Sequence, residues 1–176
     1  MNTEYLVAGC TPPIADQLDK FWQEAISTLG CDDLPADYYV RWIGSDAQST
    51  EAILASVLSG QKTGSVSLPW ETEHSGRNAS QVRDAIVLIN FDGTPSALLQ
   101  ITSITTVRFA DVTAQHTASD GPRVRAPEVW KPLHKPYFNM LLAPYGLQSN
   151  DDMPISFEKF ELLYPESPHT PTKPVC

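Results

Sequence analysis

The stretch Ser59-Gly60-Gln61-Lys62-Thr63-Gly64-Ser65-Val66-Ser67-Leu68 marks the point where the chain changes from helical to strand periodicity. Apolar residues before it recur at the spacing of a helix, and Gly60 is typical of a residue that ends one. After it, two serines alternate with Val66 and Leu68, which is typical of a strand with one buried face. We therefore predict a helix-to-strand corner at which Lys62 and several hydroxyl groups lie within reach of one another.

Two helices are predicted on the N-terminal side of this corner. Thr11-Pro12-Pro13 has the composition of a helix start, with Thr11 as the cap, and Gly30 is expected to end that helix. Ser45-Asp46-Ala47-Gln48 matches a capping box, and it predicts a second helix that Gly60 terminates.

Strand patterns dominate the chain after this corner. The first strand is expected to run through Val66, Leu68 and Trp70. Asp92-Gly93 predicts a hairpin turn between further strands. The remaining predicted elements are strands at 84–91, 96–109 and 155–164, a short helix at 111–119, and a helix at 126–143 that Pro132 and Pro136 bend or interrupt. We predict an α+β fold in which helices flank a small β-barrel of mostly antiparallel strands.

Composition restricts the classes of function. The chain of 176 residues fits one domain, and its formal charge of −9 argues against binding of duplex DNA, which normally uses a broad basic face. No apolar run reaches the roughly 18–20 residues of a membrane span, and the start lacks the pattern of a secretion signal. The 3 cysteines and 4 histidines show no metal-ligand spacing. We therefore expect a cytoplasmic protein that contacts no membrane and holds no metal or other cofactor.

Basic residues concentrate between residues 108 and 135. Two interpretations remain open: a local basic rim around a pocket, or a solvated surface. The residues concerned are Arg108, Arg123, Arg125, Lys131 and Lys135.

The Lys62 and Ser65 side chains are candidates for nucleophilic chemistry. A partly buried lysine can accept the proton of a hydroxyl group and so activate its oxygen. Asp120 precedes Gly121 in a predicted loop, where its carboxylate is able to orient the lysine or to carry a proton. The alternatives are a surface lysine at a strand edge and an ordinary turn aspartate, and spacing alone favours them.

Further motifs along the chain resemble those of the ASCH (ASC-1 homology) domain family. The segment from Leu58 to Leu68 resembles its Gly-x-Lys-Thr segment, and Arg108-Phe109-Ala110-Asp111-Val112 resembles its RF-x-DV step. Residues 116–121, Trp130 with His134, and residues 151–161 resemble its later motifs. The resemblance covers the chain from about residue 22 to residue 165, and the motifs occur in the family's order.

This resemblance implies a PUA-like barrel with a cleft at its mouth that binds RNA or modified nucleosides. A small relative hydrolyses the acetamide of N(4)-acetylcytidine with Lys, Thr and Glu, and a larger relative is reported as a ribonuclease. Carried over, these catalytic positions are Lys62, Ser65 and Asp120, so two of the three residue types differ from the small relative's. The ligand-binding residues expected around them are Trp42, Gly60, Thr63, Ser67, Trp70, Arg108, Arg123, Arg125 and His116.

Three functions follow as hypotheses. In a hydrolase of an N-acylated nucleoside, Ser65 attacks, Lys62 takes its proton, and Asp120 orients Lys62 or protonates the leaving amine. In a ribonuclease for single-stranded RNA, the basic residues hold phosphates; in a binding module without chemistry, the cleft holds a nucleotide. The predicted organisation is an N-terminal helical segment at 1–30, an ASCH domain at 31–165, and a loose tail at 166–176. The sequence leaves the oligomeric state open.

Overall fold

The computed structural model describes residues 9–30 and 34–165, together with the backbone of residues 2–3. The predicted tail, residues 166–176, lies outside the described residues, and the predicted boundary at residues 30 and 31 stays a prediction. The elements in chain order are β1 Asn2–Thr3, α1 Ala15–Leu29, β2 Tyr39–Arg41, α2 Ala47–Leu58, β3 Gly64–Ser67, α3 Pro69–Ser75, β4 Ala85–Ile89, β5 Pro95–Arg108, α4 Ala114–Thr117, α5 Pro127–Leu142 and β6 Pro154–Tyr164.

The strands form one mixed sheet in the order β1-β2-β4-β5-β6-β3. β1, β2 and β4 are parallel neighbours, whereas β4, β5, β6 and β3 pair antiparallel. The register between β5 and β6 shifts after Leu98 and again after Ile101, and such irregularities increase the twist of a sheet. The resulting curled, barrel-like sheet with flanking helices confirms the predicted α+β class.

Helices cover both faces of the sheet. Every residue of β4 is buried, and because successive side chains of a strand point to opposite faces, β4 contributes to two clusters. Val87 packs in a cluster with Trp22 of α1, and Leu88 packs in another with Leu54 of α2. A third cluster joins α5 to β6, and its largest fully buried members are Trp130, Phe138, Leu142, Met153 and Ile155. These contacts fix α2 and α5 against the sheet.

The starts of α1 and α2 differ from their predictions. Thr11 does not cap α1, which begins at Ala15 with Ile14 in the capping position and no side-chain cap. The Thr11 N–H instead donates to the Phe91 carbonyl at 3.0 Å, so this segment is used to hold the β4–β5 hairpin. A capping box does open α2, but Asp46 is the cap and Ser49 is its partner, one register later than predicted.

Two further differences between the predicted and the observed elements involve prolines. β3 ends at Ser67 because Pro69 begins α3, so Trp70 lies in a helix and the prediction of a strand through it was wrong. Of the two effects predicted for Pro132 and Pro136, bending or interruption, interruption does not occur, since α5 runs through both prolines. Both prolines lie four residues apart on its exposed side, where water can satisfy the freed carbonyl groups while the opposite side stays packed.

Gly64 permits a close approach that positions the site. A Cβ atom at residue 64 would lie 2.7 Å from the Ser119 Cβ and 3.0 Å from the Glu158 carbonyl oxygen. We predict that Gly64→Ala lowers the free energy of unfolding by about 1–3 kcal/mol, because one of these backbones must move. Urea denaturation measures the change. Gly121→Ala is the control, since the nearest atom to its Cβ would be the Ser56 Oγ at 3.8 Å, and equal losses in both variants would contradict the prediction.

Candidate functional site

A cleft of about 800 Å³ lies between α2 and α5 beside β3. α2 contributes Ile53 and Ser56 to one wall, and α5 contributes an apolar wall that includes Leu133 and Met140. A smaller cavity of about 140 Å³ adjoins it and shares Ser65, Val66 and Asp120 with it. The cleft therefore combines apolar walls with a polar end at the corner between α2 and β3.

Lys62 and Asp120 meet at this polar end. The Lys62 Nζ donates to the Asp120 Oδ1 at 2.5 Å, although the residues are 58 positions apart in the chain. Lys62 is only 7% exposed. Its backbone N–H donates to the Ser56 carbonyl, a turn that Gly60 makes possible with its φ of 72°. The ammonium is thus enclosed at the end of α2 and paired with a carboxylate from the loop after α4.

The Asp120 carboxylate accepts several hydrogen bonds. Its Oδ1 also accepts the Gly121 N–H at 2.7 Å, and its Oδ2 accepts the Trp130 Nε1–H at 2.9 Å. Burial disfavours the charged form, but the Lys62 ammonium and the Gly121 N–H outweigh it and hold the pKa of Asp120 below its ordinary value. Asp120 is therefore ionised at neutral pH and acts as an acceptor.

His134 lies on α5 one turn after Trp130, and both side chains reach this carboxylate. The rings stack with centroids 4.0 Å apart. The His134 Nδ1 is 2.9 Å from the Trp130 carbonyl oxygen, and its Nε2 is 3.8 Å from the Asp120 Oδ2. Burial lowers the pKa of His134 below its ordinary value, more than the Trp130 carbonyl and Asp120 raise it. The imidazole is therefore neutral at neutral pH.

Ser65 lines both cavities, together with Asp120. It pairs with Glu158 across the β3–β6 ladder, so its side chain shares a face of the sheet with that carboxylate. Within the part of the chain that the structure describes, no side-chain hydrogen bond of Ser65 is present. Lys62, Ser65 and Asp120 therefore line one cleft, and the Ser65 hydroxyl is available to a ligand.

A second buried ion pair, which the sequence did not suggest, lies behind Ser65. The Arg41 guanidinium donates to the Glu158 Oε2 at 2.6 Å, and Ser67 donates to its Oε1 at 2.7 Å. Burial opposes ionisation of Glu158, but the charge of Arg41 and these hydrogen bonds hold its pKa below the ordinary value. A charged residue between buried apolar neighbours, as in Val40-Arg41-Trp42, is the sequence signal that could have indicated such a pair.

The cleft is also reached by some of the other predicted ligand-binding residues. Arg123, Ser67 and Trp42 line it, and His116 lines the adjoining smaller cavity. Trp42 is mostly a core residue at 8% exposure, and its Nε1 is the buried side-chain polar atom for which the described residues offer no hydrogen-bond partner. Arg77 and Glu71, which were not predicted, form an ion pair in the cleft wall.

The remaining predicted residues lie outside the cleft lining. Gly60 and Thr63 shape the corner instead, and the exposed Thr63 donates its backbone N–H to the Ser119 carbonyl at 2.8 Å. Trp70 packs at the edge of the third core cluster. Arg108 pairs with Asp111 and Asp152, while the Arg125 guanidinium donates to the Asp120 and Gln61 carbonyl groups.

No three His, Cys, Asp or Glu side chains in residues 9–30 and 34–165 cluster in a way that could hold a metal ion. None of the described helices has both the length and the apolar character needed to cross a membrane.

The pair of Arg41 and Glu158 gives a stability prediction. Arg41→Ala leaves a buried carboxylate without its countercharge, and we expect a loss of about 3–5 kcal/mol at pH 7. Because the folded-state pKa of Glu158 is lowered, the pair stabilises the wild type fully above the ordinary glutamate pKa of about 4.3, and this contribution is lost as the pH falls through the folded value. Urea denaturation from pH 7 to about pH 3 should therefore show the gap between the free energies of unfolding of wild type and Arg41→Ala narrowing once the pH falls below about 4.3.

Two further variants control this experiment. Arg41→Ala with Glu158→Gln should recover part of the loss, since it removes the unpaired charge. Lys20→Ala breaks an exposed pair with Glu24 on α1 and should have little effect. If Arg41→Ala lowers the free energy of unfolding no more than Lys20→Ala does, the pair of Arg41 and Glu158 does not stabilise the fold as predicted.

Comparison with known proteins places this geometry in a family. The family model of the ASCH domain matches residues 40–164, from β2 to β6. Two solved structures are similar in fold. An ASCH domain from Lactobacillus crispatus JV V101 has a TM-score of 0.76 and 21% identity, with 86% of this chain and 97% of that chain covered. A protein from Enterococcus faecalis V583 with the family model DUF984 has a TM-score of 0.73 and 22% identity, with 86% of this chain and 92% of that chain covered.

No curated protein matches the sequence. The two solved structures described above support the fold alone. The family model spans well over half of the chain and includes the segments that carry Lys62, Ser65 and Asp120. This match confirms the resemblance noted in the sequence motifs: the chain belongs to the ASCH domain family.

Proposed function

We propose that this protein binds a nucleoside, free or at an unpaired position of RNA, and hydrolyses an N-acyl group on its base, as in N(4)-acetylcytidine. The observation that carries the proposal is the convergence of Lys62, Ser65 and Asp120 on one cleft. These are the positions that the family resemblance assigns to the catalytic Lys, Thr and Glu of an acetylcytidine hydrolase.

The shape of the cleft supports a ligand of this size. Its volume of about 800 Å³ lies within the range of roughly 300–1,000 Å³ that is usual for small-molecule sites. Leu133 and Met140 offer apolar surface for a base, while Ser65 and Arg123 offer polar contacts at its edge. The charged side chains lining the cleft are largely paired with each other, which suits a ligand of low charge.

The ion pair changes the role proposed for Lys62. A lysine that donates to an ionised Asp120 already carries its proton, so the pair supports a role as a positive charge rather than as a base. When the Ser65 oxygen attacks the acyl carbon, negative charge develops on the carbonyl oxygen, and an enclosed ammonium can stabilise it. Asp120 then acts as the residue that holds Lys62 in place.

The ribonuclease alternative has less support. Of the arginines expected to hold phosphates, Arg108 is paired with two carboxylates, and the Arg125 guanidinium already donates hydrogen bonds to two backbone carbonyl groups. Only Arg123 among them lines the cleft within the described residues. A different observation favours the binding module without chemistry. Among the described residues, the Ser65 hydroxyl has no hydrogen bond to a side chain that could accept its proton. Both alternatives therefore enter the test as outcomes.

We predict that N(4)-acetylcytidine is converted to cytidine and acetate, and that Lys62→Ala and Ser65→Ala each lower the rate by about 10²-fold or more. The reason is that one variant removes the nucleophile and the other removes the charge that stabilises the oxyanion. Product formation is measured by chromatography, and ligand binding is measured separately by the shift in melting temperature.

Matched controls are available on α1. Lys20→Ala and Ser27→Ala remove the same functional groups from exposed positions of a helix that does not line the cleft, and they should leave the rate unchanged. Thermal stabilisation by nucleosides without any turnover would replace the hydrolase with the binding module. Cleavage of single-stranded RNA with unchanged nucleosides would replace it with the ribonuclease, and full turnover by Ser65→Ala would exclude Ser65 as the nucleophile.

A further inference from the structure

We infer that His134 is the general base of this site. Its Nε2 accepts the proton of the Ser65 hydroxyl when that oxygen attacks an acyl carbon. The inference rests on the proposed function, and it adds a residue that the Lys, Ser and Asp set does not contain. A serine nucleophile requires a proton acceptor, and neither charged partner of the ion pair fills that role.

The existing hydrogen bonds disfavour the carboxylates of the site as that acceptor. Asp120 already accepts from Lys62, Gly121 and Trp130, and Glu158 accepts from Arg41 and Ser67. Both carboxylates are also held in the ionised form by their partners. Both carboxylates therefore have a low affinity for the proton of the Ser65 hydroxyl at neutral pH.

A contact with the backbone decides which nitrogen of His134 has a free lone pair. Its Nδ1 faces the Trp130 carbonyl oxygen at 2.9 Å, and because a carbonyl only accepts, Nδ1 carries the proton. In the neutral ring Nε2 is therefore unprotonated. It lies 3.8 Å from the Asp120 Oδ2, and His134 lines the cleft together with Ser65. Once Nε2 takes a proton, the imidazolium gains Asp120 as a countercharge.

His116, which lines the smaller cavity, has the opposite arrangement. Its Nδ1 accepts the Thr113 backbone N–H at 3.0 Å, so the neutral ring carries its proton on Nε2. The nitrogen that could accept is thus occupied by the backbone of α4. Among the histidines that line the two cavities in the described chain, His134 is the one with a free lone pair.

The reaction balances with water as the only co-reactant. The Ser65 oxygen bonds to the acyl carbon while its proton passes to the His134 Nε2, and the same proton then goes to the leaving nitrogen as the amide bond breaks. Water next attacks the acyl-serine and gives its proton to Nε2. That proton returns to the Ser65 oxygen as the ester bond breaks, so the products are the amine and a carboxylic acid.

The charged groups that face His134 from other elements are Asp120 and Lys62, which act on its proton affinity in opposite directions. Burial has the largest effect and lowers the pKa of His134 below 6.5. A base must be unprotonated to act, so Ser65 acylation should fall as the pH drops through that lowered pKa.

p-Nitrophenyl acetate is the probe for the test, because it acetylates an activated serine without any nucleoside recognition. Acetylation of Ser65 is followed by peptide mass spectrometry from about pH 5 to pH 8, the range in which histidine titrates. We expect His134→Gln to slow it by about 10²-fold or more and to abolish its pH dependence. His74→Gln is the matched control, since His74 makes the same ring contact to a carbonyl one turn earlier but is exposed outside the cleft.

The outcomes separate the inference from the proposed function. Acetylation of Ser65 that depends on His134 upholds the inference even if acetylcytidine neither binds nor reacts, a result that would end the nucleoside proposal. Absence of Ser65 acetylation in the wild type, or equal rates in His134→Gln, would overturn the inference even if nucleosides bind. If His134→Gln does not fold, NMR of the wild-type imidazole at about pH 8 decides, and a neutral ring protonated on Nε2 would refute it.

Discussion

The geometry of the cleft depends on the ion pair between Lys62 and Asp120. Burying either charge alone is costly, so the segments that carry them must meet wherever both are buried. The loop before Asp120 is held to the corner at Lys62 by a second contact, the hydrogen bond from the Thr63 N–H to the Ser119 carbonyl. The close approach over Gly64 makes this contact possible. The pair thus joins the end of α2 to the start of α5, the two elements that form the walls.

Ser65 lies in an electrostatic setting that this arrangement produces. It lines the smaller cavity together with Asp120, the partner of Lys62, and with Glu158, the partner of Arg41. Each carboxylate is neutralised by its own cation, so neither repels a nucleophilic oxygen or attracts its proton strongly. The cleft is consequently almost neutral although the chain carries a formal charge of −9. Such a cleft discriminates against a polyanion more than against a base and its acyl group.

Much of the fold could be predicted from local patterns, and two of the failures have a common cause. β4 and the Asp92-Gly93 hairpin follow from an apolar run and turn chemistry, and both were predicted at nearly their observed bounds. The capping role of Thr11 and the interruption of α5 were wrongly predicted because tertiary packing overrode local preference. The same limit applies to the site, where family motifs could suggest a carboxylate near Lys62. The ion pair of Arg41 with Glu158 spans 117 residues, and its only signal in the sequence is a charged residue between apolar neighbours.

The spacing of Trp130 and His134 shows how one pattern can serve packing and chemistry together. Residues four apart lie on the same face of a helix, so stacking of the two rings is the expected use of this spacing. Yet the indole N–H also donates to the Asp120 Oδ2, and the His134 Nε2 lies 3.8 Å from that oxygen, where a protonated ring would find a countercharge. Stacking fixes the plane of the imidazole, and the Trp130 carbonyl fixes its tautomer. A contact that stabilises the core therefore also sets which nitrogen can accept a proton.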